Sequence, residues 1–456
     1  VRPLAVLVVP VLLEQFLALA VGFVDKWLAG NLFADAEPLA AVGLVAYCLS
    51  FLPAVLVLPT SAATALVARA VGAGDRAAAR RAAGQCFRVA AVVTAATILL
   101  AVVAGGPFIR LLGLPPGSSG LAVRYLAIVL PALPLMAVVL VGVAVLRGAG
   151  DMVAGLVAMS VVNLVNAAAS FALATGALGA PQLGWDGLAW GTVAGYACGA
   201  ACVVGLLARP RRGLWPGPSG WGPQPAERRR VTRVGTPAAL DSLGNAACHL
   251  TFLGIVNRLG DVDAAAHAVA ITIESLAFLP GHAFQLAAAT LSGQFLGAHD
   301  EGRARQSVWQ AAVVATMLMT AAGAGFWLAA EPLAAWFTGG RGSQGEVASL
   351  AARLVQIVAF VQPPLALLMV LSGGLRGAGA TRPPMVVNFT GLLAIRLPLA
   401  VFLAWPAVEL PGGIATLPGL GLGACGAWLA MAADLAARGL AMALIFRGRS
   451  WSRTTI

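Results

Sequence analysis

The chain has 456 residues, 60% of them hydrophobic and only 10% charged, against about 25% charged and 45–50% apolar in a soluble globular domain. That composition excludes a soluble enzyme, and a mean hydropathy of +0.89 along the length leaves room for about ten to twelve membrane spans of roughly 20 apolar residues each. The formal net charge of +11 would suggest nucleic acid as a partner in a soluble chain; here the accumulation of arginine in cytoplasmic loops accounts for it, and no nucleic-acid partner is expected.

Apolar stretches between polar breaks predict spans at 4–31, 38–70, 84–112, 120–146, 152–176, 186–208, 232–258, 263–295, 306–337, 346–374, 383–405 and 421–446. No small-residue cleavage site follows a short apolar region at the start, so the first segment is expected to stay in the membrane. The loops after spans 2, 4, 6, 8 and 10, together with the two ends, hold 21 of the 29 basic residues, which predicts cytoplasmic termini. Between spans 6 and 7, from Arg209 to Arg233, Pro, Gly and Arg replace the apolar background, the composition of a solvated linker. The expected organisation is a lobe at 1–208, a cytoplasmic linker at 209–231, and a second lobe with a short cytoplasmic tail at 232–456. The six cysteines form no CxxC pair and sit mostly in apolar runs, so neither a disulfide nor a metal is assigned to them.

Two motifs recur across the linker. VGAGDRAAARR from Val71 resembles LGAHDEGRARQ from Leu296, an offset of 225, and LRGAG at Leu146–Gly150 returns at Leu375–Gly379, an offset of 229. Two matches at nearly one offset indicate an internal repeat. Six spans is an even number, so both copies face the same way. The predicted fold is therefore an all-α polytopic membrane protein of twelve transmembrane helices, in two six-helix lobes related by a pseudo-two-fold axis along the membrane normal.

Ionisable groups inside spans cost about 2.5–3.5 kcal/mol each on insertion scales, which makes each a functional candidate. Here they are Glu14, Asp25, Asp241, Glu274, Arg396, Asp434 and Arg438, with His249, His267 and His282 as polar companions. Glu14 and Asp25 are eleven residues apart and fall within about 20° of one helix face; the alternative for Glu14 is a neutral carboxyl hydrogen-bonded to a neighbouring helix. Glu274 follows His267 by seven residues on one face and would form a titratable second site with Asp241, the alternative being a structural ion pair of Glu274 or Asp434 with Arg396. Asp434 and Arg438, an i,i+4 pair, are expected to satisfy one another. Asn163, Asn166 and Ser170 in span 5 serve either a site or interhelical hydrogen bonds. Pro10 and Pro280 lie inside long helical runs, where each is a candidate hinge or a static bend. Phe16, Phe23, Trp27, Tyr47 and Phe51 offer aromatic surface to a cation, although such residues more often pack or anchor a helix at the interface.

Four stretches carry a resemblance that covers essentially the whole chain: GFVDKWLAG in span 1, LAAVGLVAYCLSF running into LVARAVGAGD in span 2, ITIESLAFLPGHAFQLAAATLSGQFLGA in span 8, and LRGAG after spans 4 and 10. Together they resemble the multidrug and toxic compound extrusion (MATE) family, in its bacterial damage-inducible branch. The resemblance implies an exporter in the bacterial inner membrane, acting as a monomer without a cofactor. It would couple inward flow of H+ or Na+ to outward movement of small, often cationic and lipophilic organic compounds. It implies that Asp25 carries the coupling ion in the N-terminal lobe. NAAASFALATG from Asn166 aligns with the family pattern of Asn, then Asp four residues later, then Gly, with Ser170 in place of that Asp. Thr192 matches the span-6 Thr, and no polar amide stands in span 4. Na+ wants several oxygen ligands, whereas a proton needs one titratable group, so H+ is favoured over Na+ at Asp25.

Two other functions stand as alternatives. A flippase for a lipid or lipid-linked sugar would need several arginines inside spans, and only Arg396 and Arg438 are there. A membrane enzyme finds no HExxH, Walker A lysine, DxxxD pair or Gly-flanked nucleophilic serine in the chain.

Overall fold

The computed structural model describes residues 4–32, 36–111, 116–209, 213–222, 224–338, 343–409, 416–448 and 450–454, and nearly all of them are helical. The helices in chain order are α1 (Leu4–Leu32), α2 (Ala36–Gly72), α3 (Arg76–Leu111), α4 (Pro116–Val129), α5 (Leu133–Gly148), α6 (Met152–Thr175), α7 (Trp185–Ala208), α8 (Pro218–Trp221) and α9 (Pro225–Asn257). They continue as α10 (Asp261–Gly297), α11 (Glu301–Leu328), α12 (Ala330–Thr338), α13 (Ser343–Phe360), α14 (Gln362–Gly377), α15 (Arg382–Thr390), α16 (Leu397–Ala404) and α17 (Gly423–Arg447). A π-helical segment, Gly391–Arg396, joins α15 to α16. A short antiparallel hairpin, β1 (Ala407–Glu409) with β2 (Thr416–Pro418), precedes α17.

Ten of these stretches are long and apolar enough to cross a membrane, and α13–α14, bent by 54° at Val361, makes an eleventh. The 29-residue α1 completes the twelve spans, since at 1.5 Å per residue it reaches about 43 Å, beyond the ~30 Å of a bilayer's hydrocarbon core. Large apolar side chains such as Val92, Leu99, Leu100, Val102 and Val103 along α3 are exposed, as a lipid-facing helix surface requires.

Among the described residues, two spans depart from regular α-helix at equivalent places, one by a 3-10 turn and one by a 54° bend. In the fourth, Pro131 and Pro134 interrupt the ladder with a 3-10 turn at Leu130–Ala132; in the tenth, Pro363 and Pro364 follow the break at Val361. A proline ring removes a backbone donor and crowds the carbonyl four residues before it. By contrast, α1 and α10 remain helical through Pro10 and Pro280. The repeat also shows in turn geometry. Gly150 and Gly379 in the two LRGAG turns share a φ of +82°, with Gly150 N–H donating to Arg147 O and Gly379 N–H to Arg376 O. In the other repeated turn, Gly74 corresponds to His299, which has φ +59°.

The linker is shorter and better packed than its composition suggests. Trp221 lies against Phe87 and Trp215, Gln85 on α3 donates to the Gly220 and Gly222 carbonyls, and α9 already begins at Pro225. Contacts divide the chain into two compact units: unit 1 runs to Ala239 and adds Gly293–Asp300, and unit 2 comprises Leu240–Ser292 and the chain from Glu301 onward.

Candidate functional site

In unit 1 the polar interior is built on α6 and α7. Gly187, Gly191, Gly195 and Gly199 recur every fourth residue of α7 and form one stripe, which lets two backbones approach closely where lipid offers no hydrophobic drive. A Cβ on Gly191 would lie 2.1 Å from Ser170 Oγ, and one on Gly195 would lie 2.7 Å from Val162 O. This contact sets Asn166 and Ser170 of α6 directly against α7. Asn166 Nδ2 donates to Thr192 Oγ1 at 3.1 Å, and Thr192 donates to the Leu188 carbonyl at 3.2 Å. With its proton so directed, Thr192 accepts from Tyr125 Oη at 2.8 Å. Ser170 Oγ reaches Leu188 O at 3.4 Å.

Two amides of this cluster have capacity to spare. Asn166 Oδ1 and both amide atoms of Asn163 are buried without a hydrogen-bond partner, and residues 163 and 166 share a helix face. Helix α1, which packs along α6, carries Asp25, but the side chains of residues 18–26 lie outside the described residues, as do those of Tyr47 and Phe51. Tyr125 on α4 was not singled out in the sequence. Its signal was a hydroxyl in a span that lacked an amide.

Glu14 sits about 16 Å along α1 from Asp25, at 1.5 Å per residue. It is buried and ion-paired with Arg147, the arginine of the first LRGAG turn. Glu14 Oε2 has no partner and rests against Gly155, where a Cβ would approach it to 2.8 Å.

Unit 2 holds a longer chain of charges. Asp241 on α9 accepts from Arg376 Nη2 at 2.5 Å and from Asn388 Nδ2 at 2.9 and 3.1 Å. Asn388 Oδ1 accepts from Arg438 Nη1 at 3.1 Å. Arg438 grips Asp434 with Nε at 2.8 Å and Nη2 at 2.5 Å, and Arg396 Nε reaches the same carboxylate at 2.9 Å. Gly391 makes room for this grip, since its Cβ would fall 2.4 Å from both Arg438 Cδ and Asp434 Oδ1. The π-helical turn that follows carries Arg396 inward. Pro398, two residues past that turn, withdraws an amide donor from the ladder there.

His267 accepts a hydrogen bond at Nδ1 from Trp428 Nε1 at 3.1 Å, so its neutral form carries the proton on Nε2. Its ring also lies near Phe252. No hydrogen bond joins His267 to Glu274, although both are buried on α10, and Glu274 Oε2 has no partner. The structure thus brings Asp241, Asp434 and Arg396 into one network, and leaves Glu274 and His267 beside it.

The MatE family profile matches residues 10–172 and again 237–402, two copies that begin at Pro10 and Pro237. The chain belongs to the MatE family, whose members are membrane transporters and not enzymes. It is 27% identical to the probable multidrug resistance protein NorM of Thermotoga maritima, over 100% of this chain and 94% of that one. In fold it is similar to the Vibrio cholerae MATE transporter VcmN, solved as a D35N mutant, with TM-score 0.85, 21% identity and coverage of 99% and 98% of the two chains. It is also similar to a MOP superfamily transporter of Pyrococcus furiosus, described as having a binding pocket of reverse polarity, with TM-score 0.86, 18% identity and coverage of 99% and 96%. The chain is therefore an integral membrane transporter, with the family's two six-helix halves.

Proposed function

We propose that the protein is a proton-coupled multidrug antiporter that exports small, lipophilic and often cationic organic compounds. The NorM relative's name, multidrug resistance protein, supports the substrate class. The choice of ion rests on the oxygens around α6. Ser170 and Thr192 spend their hydroxyls on Leu188 O, Asn166 and Tyr125. Besides the Asp25 carboxyl, this leaves among the described residues the amide oxygens of Asn163 and Asn166, few ligands for a hard cation that wants several oxygens. A proton needs only the Asp25 carboxyl. Na+ at Asp25 is the alternative coupling, and it would recruit both amide oxygens.

Ionised Asp25 favours a cationic solute, and proton uptake removes that attraction, so the two ligands bias the same conformational equilibrium in opposite directions. Pro10 and Pro280 are the hinges in this reading, and Asp241, Glu274, His267 and Arg396 form a secondary coupling site. The protein acts as a monomer, without a cofactor, in the bacterial inner membrane with both termini cytoplasmic. The flippase reading loses ground because, among the described residues, Arg147, Arg376, Arg396 and Arg438 each contact a carboxylate and so are not gathered as a cradle for a pyrophosphate.

The test is efflux of a fluorescent organic cation from proteoliposomes, under an imposed pH gradient and separately under a Na+ gradient. The wild type should respond to the pH gradient alone, and Asp25→Asn should lose roughly tenfold or more of that rate, since it removes the carboxyl that exchanges the driving ion in the N-terminal lobe. Efflux driven by Na+, or undiminished in Asp25→Asn, would refute the assignment.

A further inference from the structure

Helix α11 carries a polar patch that the transport scheme does not use. A groove of about 600 Å³, open on one side, is lined there by Arg305, Gln306, Trp309, Gln310, Val313 and Val314. These positions recur at three- and four-residue steps and share one face of the helix. The same face continues as Met317 and Leu318, which are 61% and 45% exposed. The groove therefore begins among charged and amide groups and runs onto bare apolar surface.

The spacing along the helix matches the layers of a bilayer. At 1.5 Å per residue, Trp309 lies about 6 Å beyond Arg305, and Val313 and Val314 about 12–14 Å beyond it. The headgroup layer on each side of a membrane is about 5–8 Å thick. With Trp309 at the edge of the hydrocarbon, where indole rings concentrate, the Arg305 guanidinium stands at the level of the lipid phosphates, and the two valines lie among acyl chains. Trp309 is a fixed wall of the groove, since its ring meets Phe446 edge-on at 5.7 Å and Phe446 stacks on Trp451 at 4.5 Å.

The charge at this end is positive and partly unspent. Arg305 is half-buried and forms no ion pair or hydrogen bond with a described residue, while the exposed Gln306 and Gln310 add amide donors. The acids nearby in sequence are Asp300 and Glu301, and Glu301 already accepts from Ser452 Oγ at 3.0 Å. That bond and the Trp309–Phe446 contact hold the C-terminal tail against α11. Arg303, Arg305, Arg447 and Arg453 thus outnumber the two carboxylates.

We propose that this groove binds one anionic diacyl phospholipid, with its phosphate on Arg305 and the two amides and its acyl chains along Val313, Val314 and Met317. A guanidinium pairs with phosphate oxygens through charge-assisted hydrogen bonds. A zwitterionic headgroup would set its own cation among the arginines and gain less. A soluble phosphate would leave the apolar half of the groove unused. The turn before α11 follows span 8, on the side where basic residues collect, so the lipid belongs to the cytoplasmic leaflet, whose surface is anionic. The proposal is independent of the coupling ion and of the exported compound.

The test is native mass spectrometry of the purified full chain in detergent with equimolar dioleoyl phosphatidylglycerol and dioleoyl phosphatidylcholine. The wild type should retain one phosphatidylglycerol in preference to phosphatidylcholine by roughly fivefold or more, the contribution of one arginine near a membrane surface. Arg305→Gln should bring the two lipids to near parity, Arg305→Lys should keep part of the preference, and Arg228→Gln, an arginine of α9 outside the groove, should leave it unchanged. Inorganic phosphate in excess should not displace the lipid. Parity in the wild type, or equal loss in Arg305→Gln and Arg228→Gln, would overturn the site in favour of diffuse attraction. Displacement by inorganic phosphate would overturn the lipid as its occupant.

Discussion

Glu14 and Asp241 stand 227 positions apart, and each is held by the arginine of an LRGAG turn, Arg147 in the first copy and Arg376 in the second. The repeat is thus expressed as one ion pair made twice. The copies are not equally secure. Asp241 has Asn388 as a second donor on both oxygens, whereas Glu14 Oε2 has none. Removing one partner of a buried pair costs about 3–5 kcal/mol, because the other charge is left buried alone. Arg147→Gln should therefore lower the thermal midpoint in detergent by more than Arg376→Gln, and Glu14→Gln added to Arg147→Gln should restore most of the loss. A larger effect at Arg376 would show that Asn388 does not compensate. Neither pair was legible in the sequence, where the partners are more than 130 residues apart. What composition did show was the expense of a carboxylate inside a span, which singled out Glu14 and Asp241 without naming what holds them. The pairing of Asp434 with Arg438 was legible, because both lie on one helix at i,i+4 spacing.

At the scale of elements, the contact of α6 with α7 decides whether the unit 1 cluster exists. Gly191 admits no side chain, since the nearest atoms to its Cβ include the backbone of Ser170 at 2.5 Å. On the same helix Gly205 has nothing within 4 Å. Gly191→Ala should lower both the thermal midpoint and cation efflux several-fold by prising Thr192 from Asn166, while Gly205→Ala should be neutral or slightly stabilising. Equal behaviour of the two variants would deny the stripe its role. The twelve spans were readable because hydropathy alone reports them. Their ends were less so: Arg228, Arg229 and Arg230 look like linker by composition, yet they belong to the first turns of α9, where long basic side chains reach solvent from a helix end. The helices stay continuous through Pro10 and Pro280, while the irregular turns fall at Pro131 and Pro363. A proline's position in a helix does not reveal whether neighbouring helices absorb its missing bond.

For the molecule as a whole, the arginine asymmetry of the loops makes a statement about orientation. Ala77, at the start of α3, and Gln182, between α6 and α7, are both exposed and belong to loops of opposite predicted side. In a cysteine-free background, a membrane-impermeant maleimide added to intact cells should label Gln182→Cys and spare Ala77→Cys until the membrane is opened. Labelling of Ala77→Cys in intact cells would invert the topology. The two family matches, at 10–172 and 237–402, agree with the repeat first seen in two short motifs, and they show how far the halves have drifted while keeping their turns.

The run of charges from Arg376 through Asp241, Asn388, Arg438 and Asp434 to Arg396 ties five segments of unit 2 together. In a low-dielectric interior such ties cannot be exchanged for water, so they act as stiff braces. In unit 1 the buried charges stop at the single pair of Glu14 with Arg147, and the contact of α6 with α7 is held by hydroxyls and amides, which break and re-form at lower cost. Taken each by itself, the α6–α7 interior of unit 1 is then the more compliant and the braced interior of unit 2 the stiffer, a spring beside a frame.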